Sequence, residues 1–298
     1  MSTTTKSPLR VVRNALAVGG DVFRLHAHRR CPKLYTQPQL FACLALKAFF
    51  KTDYRGIAQY LRDLPDLARA VGLSRVPHFT TLHKAAGRLL RRPRARRLLR
   101  AAVRRSFRRR RRSPRVAFDS SGLDCGHASR YYIRRRARKG SPWQTVAYTR
   151  YAKLEVSVDC ASHLIVGALA GRGPRPDVDR FAPLLDETLA NVQPRRVVAD
   201  AGYDSEPNHR YARDDHGVLS FMPATLGRPS PKPPTGYHRR RMRRRLDKRY
   251  GGYGQRWQAE AAFSMVKRRL ADAVAARRYG SQCRELWLLC VTHNLMIL

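Results

Sequence analysis

Two aspartates in this chain each follow a short apolar run, Asp119 after Val116-Ala117-Phe118 and Asp200 after Val197-Val198-Ala199. Only 21 of the 298 residues are acidic, so an acid at the carboxyl end of an apolar strand stands out. Open α/β sheets place their sites there. Glycine-containing text follows both, Ser120-Ser121-Gly122 and Ala201-Gly202-Tyr203, and predicts turns that leave each carboxylate facing open space. Bringing two carboxylates together is costly unless a cation neutralises them, and an oxygen-only donor set suits Mg²⁺ or Mn²⁺. The plainer reading of either aspartate alone is a cap in a strand-to-helix turn.

A third acid comes from the segment running from Tyr253 to Lys267. Read as a helix at ~100° per residue, it places Tyr253, Arg256, Glu260 and Lys267 within about 60° of one another. Ala259, Ala262, Phe263, Val266 and Leu270 cover the neighbouring arc of about 100°. One face would then pack on a sheet while an adjacent stripe presents a carboxylate between cations. An Arg–Glu pair four residues apart is an ordinary feature of a solvated helix; joined to two strand-end aspartates it becomes a candidate site.

The elements that must hold these residues can be read along the chain. Residues 1–33 read as a basic arm without clear patterning. From Pro38 to about Arg112 the text is helical, with a Gly72-closed turn and a later helix capped by Thr80 or Thr81. That arrangement suits a helix-turn-helix in a DNA-binding domain over 34–112, or equally a small helical bundle docked on the rest. After Ser113-Pro114 the texture changes. Strands are expected at Arg115–Asp119, Thr145–Asp159, His163–Ala170, Arg196–Asp200 and Val218–Met222. Helices are expected at Val178–Ala190 and near Pro207–Asp214, then over about 253–278 and 281–298. Residues 224–250, rich in Pro, Gly and Arg, read as a basic loop or insertion. The order predicts an α/β class with a mixed five-stranded sheet flanked by helices over 113–298, preceded by the all-helical N-terminal domain.

The charge balance narrows the partner. There are 61 Lys+Arg and a formal net charge of +40; such a chain repels itself strongly and is expected to work against a polyanion. Only ten of the basic residues are Lys, and Arg binds phosphate bidentately. Three clusters, Arg91–Arg112, Arg134–Lys139 and Arg239–Arg249, would grip a nucleic-acid backbone; within them Arg134, Arg135, Arg136, Arg239, Arg240, Arg241, Arg243 and Arg244 are the candidate contacts. The plainer alternative is a solvated basic face. An apolar content of 43% argues against disorder. No export segment or membrane-length apolar run is visible, so a cytoplasmic, nucleoid-associated location is expected. The six cysteines suit reduced thiols. Cys125 and His127 with Cys160 and His163 would make four zinc ligands, but an antiparallel strand pair separates them by on the order of 30 Å at ~3.3 Å per residue.

Together these residues resemble those of a bacterial or archaeal insertion-sequence transposase of the DDE type. That group's catalytic helix carries Tyr, two residues, Arg, three residues, Glu, six residues, Lys, matched here by Tyr253, Arg256, Glu260 and Lys267. Phe118-Asp119-Ser120-Ser121-Gly122, Ser129-Arg130-Tyr131-Tyr132 and Asp200-Ala201-Gly202-Tyr203-Asp204-Ser205 are similar to the group's segments. So are Thr292-His293-Asn294-Leu295 and the region from Asp53-Tyr54-Arg55-Gly56 to Leu82. The resemblance covers about residues 38–298. It implies a ribonuclease-H-like catalytic domain in which Asp119, Asp200 and Glu260 hold two Mg²⁺, with Mn²⁺ able to substitute. It also implies hydrolysis at the element's ends, transfer of the freed 3′ ends into target DNA, and a homodimer that cuts two ends together. Tyr253, Arg256 and Lys267 would contact DNA near the cut. The alternatives are a nuclease of the same fold that cuts without joining, and a catalytically idle DNA-binding protein. An Arg-rich RNA binder lacks the aromatic platform of single-strand readers.

Overall fold

The computed structural model describes residues 4–107, 112–125, 151–224, 234–246 and 250–298. Arg134, Arg135, Arg136 and the Ser129–Tyr132 segment lie outside the described residues, as does the 145–150 part of the expected second strand.

The chain opens with α1, Pro8–Val22, which corrects the expectation of an unpatterned arm over 1–33. Ser7 caps it by accepting the Arg10 N–H, Pro8 sits in its first turn, and Val11, Val12, Ala15, Val18 and Val22 are buried along one side. Helix α2, Gln37–Phe49, begins with a reciprocal Thr36–Gln39 capping box. Helix α3, Tyr54–Asp63, is capped by Asp53, which accepts the Gly56 N–H at 2.7 Å. Helix α4, Pro65–Val71, ends at Gly72 in the left-handed region, φ 78°. Helix α5 runs Phe79–Leu89 and α6 Arg92–Phe107. The residue before α5 is His78, whose ring bonds Thr80 Oγ1 at 2.8 Å, so neither threonine caps that helix. The Gly72–His78 connection is also longer than the three- to four-residue turn of a helix-turn-helix.

The sheet contains β1, Val116–Cys125; β2, Tyr151–Asp159; β3, Ile165–Gly173; β4, Arg196–Ala199; and β5, Leu219–Phe221. Their spatial order is β3-β2-β1-β4-β5. The first three run antiparallel, while β4 and β5 lie parallel to β1 and to each other. To the five expected strands of this sheet the structure adds a sixth of two residues, Ala273–Val274, parallel to the end of β1 at Asp124–Cys125, and a separate parallel pair, Arg112–Ser113 with Gln193–Pro194. The later helices are α7, Phe181–Leu189; α8, Glu206–Arg210, running on into a wider turn; α9, Tyr237–Arg245; α10, Trp257–Arg269; and α11, Tyr279–Ile297. Helix α9 lies within 224–250, the stretch read as a basic loop or insertion.

Alternation along the strands decides which side chains meet which helices. Val116, Phe118, Val197 and Ala199 pack with α7 through Phe181, Leu184 and Leu185. Ala117, Val198 and the even-numbered residues Ala152 to Val158 of β2 point the other way, toward α10 and α11. The second core is continuous with α1, α2, α5 and α6. The division at 112/113 therefore separates a helical part from a sheet part across one shared core. Helix α11 also clamps the edge of the sheet: the buried Asn294 amide accepts the Ile165 N–H (2.9 Å) and donates to the Ile165 carbonyl (2.8 Å). His293 reaches the His163 carbonyl at 2.9 Å.

Candidate active site

Strands β1 and β4 stay in parallel register from Val116↔Val197 to Phe118↔Ala199. Beyond that last rung β4 ends and β1 continues, because its other edge still pairs with β2 from Asp119↔Val156 to Leu123↔Ala152. Asp119 therefore lies within a strand, and the turn expected at Ser120-Ser121-Gly122 does not form. Asp119 and Asp200 occupy equivalent positions one residue past the last rung. Counting by twos from Ala117 and Val198 puts both on the face covered by α10. Asp200 is at the same time a cap, accepting the Gly202 N–H at 3.0 Å at the head of a 3-10 turn, Ala201–Tyr203. The plain reading and the functional one describe the same residue.

The third acid arrives from α10. Tyr253 and Arg256 belong to a 3-10 stretch, Tyr250–Arg256, that precedes the helix, whereas Glu260 sits in its first turn. The expected single helix from Tyr253 to Lys267 is thus interrupted, yet the stripe survives. Arg256 bonds Glu260 at 2.6 Å, and Glu260 remains half-exposed. Lys267 lies in the last turn of α10, about two turns beyond Glu260 and away from the acids.

Electrostatics tie these groups together. Burial pushes Asp119 up to about 6; Asp200 and Glu260 push the same way, and the Ser120 N–H and Arg256 oppose them. Asp200 is raised first by burial and then by Asp177. Burial also raises the Tyr253 phenol, which lies close to Arg256 and Asp200. Among the described residues no three acidic, His or Cys side chains are drawn together tightly enough to ligate one ion as they stand; Glu260 binds Arg256 instead. The donors still fit a hard divalent cation. Two half-buried carboxylates aligned on adjacent strands share charge that burial and mutual repulsion make costly, and all the donors are oxygen.

The basic residues divide. Glu206 accepts the N–H groups of His238 (3.2 Å) and Arg239 (3.1 Å) at the start of α9, a favourable place for an anion. Arg239 turns inward onto the buried Asp204 at 2.8 Å. Asp204 is also 3.5 Å from the buried His209. Arg240, Arg243 and Arg244 are exposed, and Arg240, Arg241 and Arg244 line a cleft with Tyr237. Cys125 and Cys160 stand at opposite ends of the β1–β2 pair: the Cys160 N–H bonds the Arg115 carbonyl, while Cys125 is the last residue of β1. The two thiols are therefore too far apart to ligate one ion. Sequence reasoning missed Asp177, because an acid before a helix reads as an ordinary cap. It also passed over Asp204 and Tyr203, although both lie in a segment already singled out.

A mixed sheet with parallel strands delivering paired acids, covered by a helix carrying a third, is the architecture of a ribonuclease-H-like domain for metal-dependent phosphoryl transfer. Residues 110–295 match the transposase DDE domain family, and the chain belongs to that family, whose members are DNA-cleaving and strand-transferring enzymes that use divalent metal ions. No curated protein sequence matches the chain. Among the described residues no helix is long and apolar enough to cross a membrane.

Proposed function

We propose that this chain is the transposase of a bacterial or archaeal insertion sequence, which binds the element's terminal inverted repeats, cuts there and joins the freed 3′ ends to target DNA. The carrying observation is the shared position of Asp119 and Asp200, one residue past the last parallel rung, beneath the helix that holds Glu260. In this reading Asp119, Asp200 and Glu260 hold two Mg²⁺ ions, which Mn²⁺ can replace. When bound, the ions supply Lewis acidity for an in-line displacement at phosphorus.

The chain's own residues do the rest. Arg256 neutralises and orients Glu260 and would face the scissile phosphate. Tyr253 packs on a sugar or base beside the cut. Lys267, away from the acids, holds a neighbouring phosphate. Arg240, Arg243 and Arg244, on a helix anchored by Glu206 and Asp204, grip the duplex further out, together with Arg134, Arg135 and Arg136 and the Arg-rich α6; Arg241 lines their cleft. Arg239 serves by fixing α9. Two copies acting together would cut the two ends.

The test is incubation of the purified protein and Mg²⁺ with DNA carrying the sequences that flank its gene, with cuts mapped to the nucleotide beside Glu260→Gln. Discrete cuts leaving 3′-OH at the repeat boundary, absent from the variant, are expected, followed by joined products. Salt-sensitive binding with no cleavage by the unmodified chain would refute the catalytic reading.

A further inference from the structure

A fourth carboxylate stands beside Asp200. Asp177 immediately precedes the 3-10 turn Val178–Arg180. Asn208 ties that turn to the one after Asp200 by donating to the Val178 and Tyr203 carbonyls, each at 2.9 Å. The point where a Gly202 Cβ would stand is 3.1 Å from Asp200 Oδ1 and 3.5 Å from Asp177 Oδ2, so the glycine lets two carboxylates converge on one spot.

The two oxygens of Asp177 are used differently. Oδ1 is paired with the Lys153 ammonium at 2.6 Å, and Lys153, itself buried, also donates to the Arg175 carbonyl at 2.6 Å. Oδ1, though ion-paired, accepts no hydrogen bond among the described residues, and Oδ2 lies on the Gly202 side. A carboxylate fixed through one oxygen while the other is presented is oriented in advance for ligation.

An independent observation points a polar ligand to the same place. The Tyr203 ring packs against Phe118 and Phe181 and its side chain is 0% exposed, yet its hydroxyl has no hydrogen-bond partner among the described residues. Burial first, and then Asp177, Glu155, Asp119 and Asp200, hold the Tyr203 phenol well above its ordinary pKa. A buried phenol so placed is suited to bond the hydration shell of a cation.

We propose that Asp177 is a fourth carboxylate of the metal centre, sharing with Asp200 the cation on that side, and that Lys153 positions it. This rests on the reading that Asp119, Asp200 and Glu260 hold metal. The test is Mn²⁺ titration of the full chain followed by electron paramagnetic resonance, with metal-free melting to verify folding. Asp177→Asn should weaken Mn²⁺ binding about tenfold. The double variant Lys153→Met/Asp177→Asn, which leaves no stranded ammonium, should do the same, and Lys153→Met alone, which keeps the carboxylate but removes its support, should weaken binding by a smaller factor; unaltered binding in Lys153→Met would remove Lys153 from the proposal.

Unaltered Mn²⁺ binding in both Asp177 variants, with loss in Asp200→Asn, would overturn the proposal and leave the three-acid centre standing. Unaltered binding in Asp119→Asn and Asp200→Asn would instead sink the underlying reading. If the Asp177 variants do not fold, carbodiimide labelling of the unmodified protein decides. Mn²⁺ protection of Asp177 together with Asp200 supports a shared cation; protection of Asp200 alone overturns it.

Discussion

Burial acts on Asp119 more strongly than any of its charged neighbours, and its consequence can be measured without DNA. Its folded value of about 6 lies above the ordinary 3.8, so between those pH values the folded chain holds a proton that the unfolded chain has lost. The stability this group contributes in metal-free protein is therefore greatest below 3.8, declines as pH rises through about 6 and is level above that. Asp119→Asn removes the charge and keeps the oxygen that accepts the Ser120 N–H. It should stabilise metal-free protein at pH 7.5 by on the order of 2 kcal/mol, seen as a melting temperature several degrees higher, with little gain at pH 4. Adding Mg²⁺ should stabilise the unmodified chain further and should not stabilise this variant. A melting temperature at pH 7.5 that is unchanged or lower would show that the carboxylate is not under strain.

Among the elements, α11 has a role beyond filling the core. The Asn294 amide pairs with both backbone groups of Ile165 as a neighbouring strand would, which explains one residue of the Thr292-His293-Asn294-Leu295 segment. Asn294→Ala leaves a buried donor and a buried acceptor unpaired. It should cost about 2–4 kcal/mol in urea unfolding, with no change in where DNA is cut; a cost below about 0.5 kcal/mol, the level of an ordinary surface substitution, would contradict the clamp. How much of the architecture is legible depends on what stabilises each element. Strand β4 with its terminal Asp200, and α10 with Glu260, are readable because apolar spacing and an acid coincide. Strand β1 reads too short because Ser120, Ser121 and Gly122 are turn-forming types; pairing with β2 overrides them, and only tertiary structure supplies that pairing. Helix α1 has clear helical spacing at Val11, Ala15, Val18 and Val22, obscured by the basic residues around it. Helix α9 has Met242 as its one buried apolar residue, and its anchors, Glu206 and Asp204, are remote in sequence. Asp177 is hidden for the same reason: its meaning lies in Gly202 and Lys153, not in its neighbours.

At the scale of the whole molecule, a net charge of +40 makes affinity for DNA mostly a matter of counterion release. Replacing Arg240, Arg243 and Arg244 together by Gln should flatten the slope of log K against log salt by about 2–3, at roughly 0.9 for each phosphate no longer neutralised. Filter-binding or anisotropy titrations would measure this, and an unchanged slope would take α9 out of the DNA-facing surface. The core beneath that charge has another consequence. Helices α1, α2, α5 and α6 bury their apolar faces against the same side chains that α11 and the sheet use. The helical part therefore cannot be lent to another protein or borrowed from one as a cassette, since each half would arrive with an interface cut for a different partner. A chimera joined at residue 112 to the helical part of a distant relative should melt at a lower temperature than either parent.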